Sequence, residues 1–295
     1  MTCHQYAMGG REILFRSGTA ELQQDSVMDR FRSHGLIDGD TIRLEMEVAD
    51  LSFLQSWDMS VYTSGYELRH KEGRTFLLNH WATHRFAYGV YLDELHGREP
   101  LRIYYNGQCF RELAISPRRL LGAVGLHHRI MQGGAGIFHA SYVNYKGRGI
   151  LFAAPSQVGK STQADLWHRY ADAEIINGDR AILIPEGQGW SVGGFFNCGS
   201  SGICLNKTLP LGAVVFLEQG SENSIRQCAE KEAIHRIFTG LEFFHWDTED
   251  VDQALSVAGR LAKELPLLHF SCRPDEDAVR TLREYLEVNL FHETV

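Results

Sequence analysis

Three things are missing from this chain, and each absence removes a class of function. It has no basic excess: the formal net charge is −8, so neither nucleic acid nor an anionic membrane surface is expected as a partner. Its longest apolar runs fall far short of a bilayer's thickness, so no membrane span is expected. The start, Met1-Thr2-Cys3-His4-Gln5-Tyr6, lacks a positive flank followed by an apolar core, and no secretion signal is expected. The six cysteines (Cys3, Cys109, Cys198, Cys204, Cys228 and Cys272) are scattered without a CxxC pair. An even count alone is weak evidence for disulfides, so reduced thiols in a cytoplasmic protein are the expectation. No internal repeat or low-complexity tract is present.

What is present is concentrated in Gly149-Ile150-Leu151-Phe152-Ala153-Ala154-Pro155-Ser156-Gln157-Val158-Gly159-Lys160-Ser161-Thr162. The stretch reads as a buried strand, a tight loop and a helix start, with Thr162–Tyr170 continuing the helix. Such a turn suits a polyphosphate: backbone N–H groups of the loop and helix N-terminus face the anion, and the helix dipole favours its charge. Ser156, Gln157, Val158, Gly159, Lys160, Ser161 and Thr162 are the candidate nucleotide-binding residues. Lys160 would reach the terminal phosphates and the Ser161 hydroxyl would ligate Mg²⁺. The usual spacing places a glycine five residues before Gly159, where this chain has Ala154. The competing reading is a chance Gly-Lys-Ser in an ordinary strand-to-helix connection.

At 295 residues the chain is long enough for two modest domains or one large one. Residues 11 to about 115 read as strand-rich. Thr41–Val48 alternates apolar and polar residues, Phe86–Leu92 and Leu101–Tyr105 are aromatic and β-prone, and Asn106-Gly107, Asp38-Gly39 and Glu72-Gly73 mark turns. Pro117 opens an expected helix through the Ile130-Met131 pair, and a boundary is expected near residues 115–135. Beyond it, Ile137–Val143, Gly149–Phe152, Ala173–Asp179, Ala181–Ile184 and Leu211–Leu217 read as strands, the last of them the last clear one. Helices are expected over Glu230–Thr239, Val251–Glu264 and Asp275–Val288. The expected organisation is a β-rich domain over 1–125 followed by a phosphate-loop domain over 126–295, an α/β (α+β) architecture.

A transferring phosphate needs a nearby acid to place metal or accept a proton. Asp179, at the end of the strand after the loop helix, is the candidate, and in a βαβ arrangement its strand would lie beside the loop's own. The alternative is a turn aspartate following glycine. His139 lies on the strand preceding the loop, where a lone histidine is as a rule a satisfied core residue. Trp190–Asn206 is rich in glycine and serine and reads either as a loop that brings amides to an anion or as a mobile surface loop. His80-Trp81-Ala82-Thr83-His84, Cys198 and Cys204 are read as structural, and Asp247–Asp250 as a helix N-terminus.

The succession His139-Ala140-Ser141, Gly147-Arg148-Gly149, Ser156-Gln157-Val158-Gly159-Lys160-Ser161 and Gly178-Asp179-Arg180 resembles the core of the HPr kinase/phosphorylase family. That family belongs with the phosphoenolpyruvate carboxykinases in one P-loop superfamily. Cys198-Gly199-Ser200-Ser201 and Leu209-Pro210-Leu211 fit its later Gly-Ser loop and Pro-Leu strand, so the resemblance covers roughly 135–240. It implies ATP on the loop, Mg²⁺ near Ser161 and an acidic base opposite, and it raises His139 to a site member that handles charge or protons. The family carries two adjacent aspartates where this chain has Gly178-Asp179, which leaves open whether Asp179 serves metal, base or both. No match to the HPr-docking region is found, so HPr is not the expected acceptor. The resemblance makes a homo-oligomer possible, and the sequence leaves the oligomeric state open.

The expectation is therefore an ATP- and Mg²⁺-dependent kinase acting on a serine-type hydroxyl of a small molecule or peptide, with Lys160, Asp179 and His139 catalytic and Ser161 and Asp179 on the metal. The alternative is a nucleotide- or peptide-binding protein of the same fold that has lost turnover. A carboxykinase would need several basic side chains at the acceptor, and residues 190–206 offer none.

Overall fold

Apolar residues at every second position turn the first half of the chain into strands with one buried face. In Ile42–Ala49, Ile42, Leu44 and Met46 are buried, while Arg43 and Glu45 between them are partly exposed. The computed structural model describes residues 2–18, 23–63, 65–81, 84–92, 97, 100–107, 116–123, 125–187 and 189–291. The chain is mixed α/β and divides into two units, Met1–Arg129 and Ile130–Val295. Among the described residues no helix is long and apolar enough to cross a membrane.

The first unit is built on an eight-stranded sheet. Its strands are β1 (Thr2–Met8), β2 (Arg11–Ser17), β3 (Ile42–Ala49), β4 (Asp58–Tyr62), β5 (Tyr66–Lys71), β6 (Arg74–Trp81), β7 (His84–Tyr91) and β8 (Leu101–Asn106). They run in the order β1-β2-β3-β8-β7-β6-β5-β4. Only β2–β3 and β3–β8 are parallel pairs. A short helix α1 (Ser26–Asp29) starts at Asp25, whose carboxylate accepts from the Val27 and Met28 amides. Glu67 and Arg69 share one face of β5 and are both buried. The guanidinium meets the carboxylate through two bonds of 3.2 Å and donates to the Trp57 carbonyl at 3.0 Å. Pairing makes that burial tolerable. The chain after Asn106-Gly107, where a hairpin was expected, lies outside the described residues at 108–115.

The single helix expected from Pro117 is two, α2 (Pro117–Ala123) and α3 (Leu126–Met131). Gly125 between them has φ +70, a left-handed conformation that no helix continues through. The division between units falls inside α3.

In the second unit β9 (Gly136–Tyr145) and β10 (Arg148–Ala153) form a hairpin. Lys146 (φ +51) and Gly147 (φ +78) make its two-residue turn, with both central residues left-handed as right-twisted strands require. There follow α4 (Lys160–Ala171), β11 (Glu174–Asn177), β12 (Arg180–Glu186), β13 (Gly189–Gly194), β14 (Thr208–Gln219), β15 (Ser224–Gln227), α5 (Glu230–Gly240), α6 (Thr248–Glu264), β16 (Leu267–Cys272) and α7 (Glu276–Asn289). The strand path is β10-β9-β12-β13-β14-β16-β15, with β10 also pairing β14 in parallel. Long β9 serves two neighbourhoods: Gly136–His139 pairs β12, while its remainder pairs β10 and β11.

Helices cover both faces. Ile150 and Phe152 of β10 pack with Ala164 and Trp167 of α4 and with Val279, Leu282 and Leu286 of α7. Leu151 and Ala153, pointing the other way, join Ala233 and Ile237 of α5 and Ala254, Val257 and Leu261 of α6. A strand buried on both faces reads as the continuous apolar run seen here. Helices α6 and α7 begin at Asp247 and Asp275, whose side chains accept from Asp250 N and Ala278 N.

Three expectations are corrected. The strand leading to Asp179, β11, pairs β9 and not the loop's strand β10, because the β9–β10 hairpin already fills that flank and β14 the other. Trp190–Gly194 belongs to β13, its glycines tolerated because side chains have no room there: a Cβ on Gly194 would lie 1.9 Å from the Leu205 carbonyl oxygen. And Leu211–Leu217 is not the last strand, since β15 and β16 follow. The Leu267–Cys272 run sits between two helices and carries His269 and Ser271, which hid its strand character.

Trp167 is fully buried on the inner face of α4, and its indole N–H has no partner among the described residues. Trp167→Ala should lower unfolding free energy by about 3–5 kcal/mol in urea titration. Trp167→Phe, which also removes that orphaned donor, should cost less than about 1.5 kcal/mol.

Candidate functional site

The segment Ala154–Gly159 joins the C-terminal end of β10 to the first turn of α4. Its tightness is taken up at Gln157 (φ +68) and at Gly159 (φ +126), the residue that caps the helix. Ala154, Pro155 and Ser156 all have ordinary negative φ. The place where the usual loop has glycine therefore makes no demand that alanine fails to meet.

Lys160 is buried, and its ammonium donates to the Ala154 carbonyl at 3.0 Å, back across the loop it closes. Burial pushes its pKa below the usual lysine value, partly opposed by the charge of Asp179. No carboxylate lies within salt-bridge distance of its nitrogen among the described residues. Among the described residues its one hydrogen-bond partner is that carbonyl, and the charge of Asp179 acts on it without a direct contact.

Asp179 follows the end of β11 and is aimed by a turn. The buried Asn177 side chain accepts from Asp179 N at 2.8 Å and Arg180 N at 2.9 Å. Its amide donates to the Phe195 and Asn197 carbonyls at 2.6 and 3.1 Å. Two residues on one face of β9 complete the arrangement. Ser141 donates to the Gly178 carbonyl at 2.8 Å, and His139 Nε2 lies 3.2 Å from Asp179 Oδ1. The spacing of His139 and Ser141 thus has one local purpose, to fix the Gly178-Asp179 bend. The other carboxylate oxygen of Asp179 meets Arg180, which also pairs with Glu242. The His139 hydrogen bond, then the Arg180 charge, hold the Asp179 carboxyl below its ordinary value against the opposing effect of burial.

His139, Asp179, Lys160 and Ser161 line a cavity of about 250 Å³ together with Ser156, Gln157, Gly159, Thr162, Gly178, Ser200 and Ser201. Of the sequence-derived candidates Val158 alone is absent from it. Val158 packs on the core beneath α4 and lines a second cavity, of about 420 Å³, that shares Gln157, Gly159 and Thr162 with the first. Gln163, Leu217, Cys272 and Arg273 form part of its wall. Gln163 is buried, and its Oε1 has no partner among the described residues.

Ser141 and Arg180 stand in the motifs quoted above without a role of their own, and Asn177 and Glu242 are not among the sequence-derived site residues. Asn177-Gly178-Asp179 is a side-chain-capped turn signal that could have been found. Nothing local announces Glu242, which reaches the site only through tertiary folding. The Gly178 position has no space for a second carboxylate, since a Cβ there would lie 2.1 Å from Ser201 Oγ.

Among solved structures the chain is similar to the HPr(Ser) kinase/phosphatase from Coxiella burnetii, at 15% identity over 51% of this chain and 97% of that one, with a TM-score of 0.29. A likeness at that score carries no inference about activity. No family model matches the chain, and no curated protein does.

Because the folded Asp179 pKa is depressed, its ionised form stabilises the fold above the ordinary carboxylate value, and that stability is lost as pH falls through the folded pKa. Carboxyl ¹³C NMR should place its titration below that of an unstructured aspartate. In His139→Ala, which removes the largest stabilising contact, the midpoint should rise.

Proposed function

We propose that this protein is a phosphotransferase in which Ala154–Thr162 is a P-loop holding the phosphates of ATP and the acceptor is a serine-type hydroxyl on a small molecule or peptide. The observation that carries the reading is a buried lysine whose hydrogen-bond partner among the described residues is a carbonyl, in one cavity with an ionised aspartate. A bound polyphosphate would supply the anion that Lys160 lacks, and the first turn of α4 would face it with unsatisfied N–H groups.

Mg²⁺ fits the donor set. Ser161 and Asp179 both line the cavity and offer hard oxygens, and phosphate oxygens and water would complete the ion's shell. The ion would neutralise charge on the transferring group. The second cavity, continuous in its lining with the first, is where the nucleoside would extend.

The chain's residues divide the labour. Lys160 and the loop bind and orient the phosphates. Asp179 accepts the acceptor's proton, held ionised and aimed by His139, Arg180 and Asn177. A carboxylate held below its ordinary value is a weak base in the ground state. It becomes an effective one as the attacking hydroxyl acidifies during transfer, and the greater part of the rate comes from positioning and charge.

A second reading, nucleotide binding without turnover, is favoured by one feature: both Asp179 oxygens already have partners in His139 and Arg180. Mass spectrometry of metabolite and peptide pools incubated with the protein, Mg²⁺ and ATP separates the two by a phosphate mass shift.

Lys160→Ala should abolish saturable MgATP binding in calorimetry while leaving the circular dichroism spectrum unchanged. Asp179→Asn should keep nucleotide affinity within about threefold and lower the transfer rate at least about 100-fold. Loss of under about tenfold would assign Asp179 to scaffolding.

A further inference from the structure

The bend that carries Asp179 abuts a second loop, and that loop brings a hydroxyl of its own into the cavity. Gly199–Ser201 forms one short 3₁₀ turn between two left-handed glycines, Gly199 (φ +55) and Gly202 (φ +67). Only glycine adopts that pair of conformations cheaply. They fold the segment into a knuckle whose serines line the cavity that Lys160, His139 and Asp179 line.

The two serines differ. Ser201 Oγ donates to the Cys198 carbonyl at 2.7 Å and accepts from Ile203 N at 3.2 Å, and its side chain fills the space beside Gly178. It is a structural hydroxyl. Ser200 is exposed, and its hydroxyl has no hydrogen-bond partner among the described residues. The residue before it packs on the acid: a Cβ on Gly199 would lie 2.9 Å from Asp179 Cβ and 3.0 Å from its Cγ. A free primary hydroxyl, one residue on from the glycine that packs on Asp179, thus lines the cavity shared by the carboxylate assigned to take a proton and the lysine assigned to the phosphates.

We propose that Ser200 is itself a phosphoryl acceptor, so that the site phosphorylates its own loop. The inference rests on the kinase reading of this site. Ser200 Oγ attacks the terminal phosphorus of ATP, and its bond to phosphorus forms as the bond to the β,γ-bridging oxygen breaks. ADP leaves with that electron pair, and the hydroxyl proton passes to Asp179. Nothing else is consumed. A phosphoserine here brings roughly two negative charges into a cavity that already holds Asp179. The modified chain would then carry an anion of its own in the cavity that Lys160 lines.

The test uses the full chain with Mg²⁺ and ATP, read by peptide-mapping mass spectrometry and by calorimetry of nucleotide binding before and after modification. One phosphate on Ser200 is expected, absent in Ser200→Ala and retained as phosphothreonine in Ser200→Thr. Its rate per chain should not change with protein concentration, and MgATP affinity should drop at least about tenfold in the modified chain through like-charge repulsion. Saturable MgATP binding with no label on Ser200, or a label that survives Ser200→Ala, overturns this inference and leaves the kinase reading standing. A rate that rises with protein concentration overturns transfer within one chain. Absence of nucleotide binding overturns both.

Discussion

The carboxamide of Asn177 ties the candidate site together. It lies buried at the end of β11, accepts from two backbone amides and donates to two carbonyls of the chain after β13. All of its hydrogen-bonding capacity is used, and a fully satisfied buried polar group fixes a single geometry because any departure strands a donor or acceptor. Replacing it by an apolar residue would orphan several groups at once, each costing about 1–3 kcal/mol. What that rigidity delivers is the direction of one side chain, Asp179. Without it the acid would be a surface turn residue.

Around that fixed point polar pairs run in series. Glu242 pairs with Arg180, Arg180 with Asp179, Asp179 with His139, and Lys160 lines the same cavity. The chain of pairs keeps the aspartate ionised, and Lys160 keeps its proton less readily than an exposed lysine. Arriving phosphate would reverse the lysine's position, since an opposite charge favours the ammonium. Under the proposed reading, an arriving anion would meet the buried Lys160 ammonium while Asp179 stays ionised in the same cavity.

Much of this was legible in the sequence because its signals are local. The apolar run Ile150–Phe152, the Gly159-Lys160-Ser161 junction and the capped starts at Asp247 and Asp275 each specify their own backbone, and the strand, loop and helices stand where those signals put them. Lys160, Asp179 and His139 share a cavity, though what they do there is the proposal. The errors have physical causes. Glycines in β13 look like loop composition, yet they are there because the Leu205 backbone presses against Gly194. β16 carries a histidine that its position lets pair with Glu218 at 2.6 Å, and that polar residue broke the strand pattern. The neighbour of β10 was misassigned because pairing order depends on the β9 hairpin, which no local signal of β11 reveals. Arg180 and Glu242 lie 62 positions apart, and only folding joins them.

If the proposed function holds, a terminal phosphate sits between Lys160 and Asp179. A crystal structure with Mg²⁺ and a non-hydrolysable ATP analogue should then show Lys160 Nζ released from the Ala154 carbonyl and bonded to phosphate, with the Asp179 carboxylate facing the terminal phosphorus. An analogue bound elsewhere, with Lys160 still on that carbonyl, would rule the kinase site out.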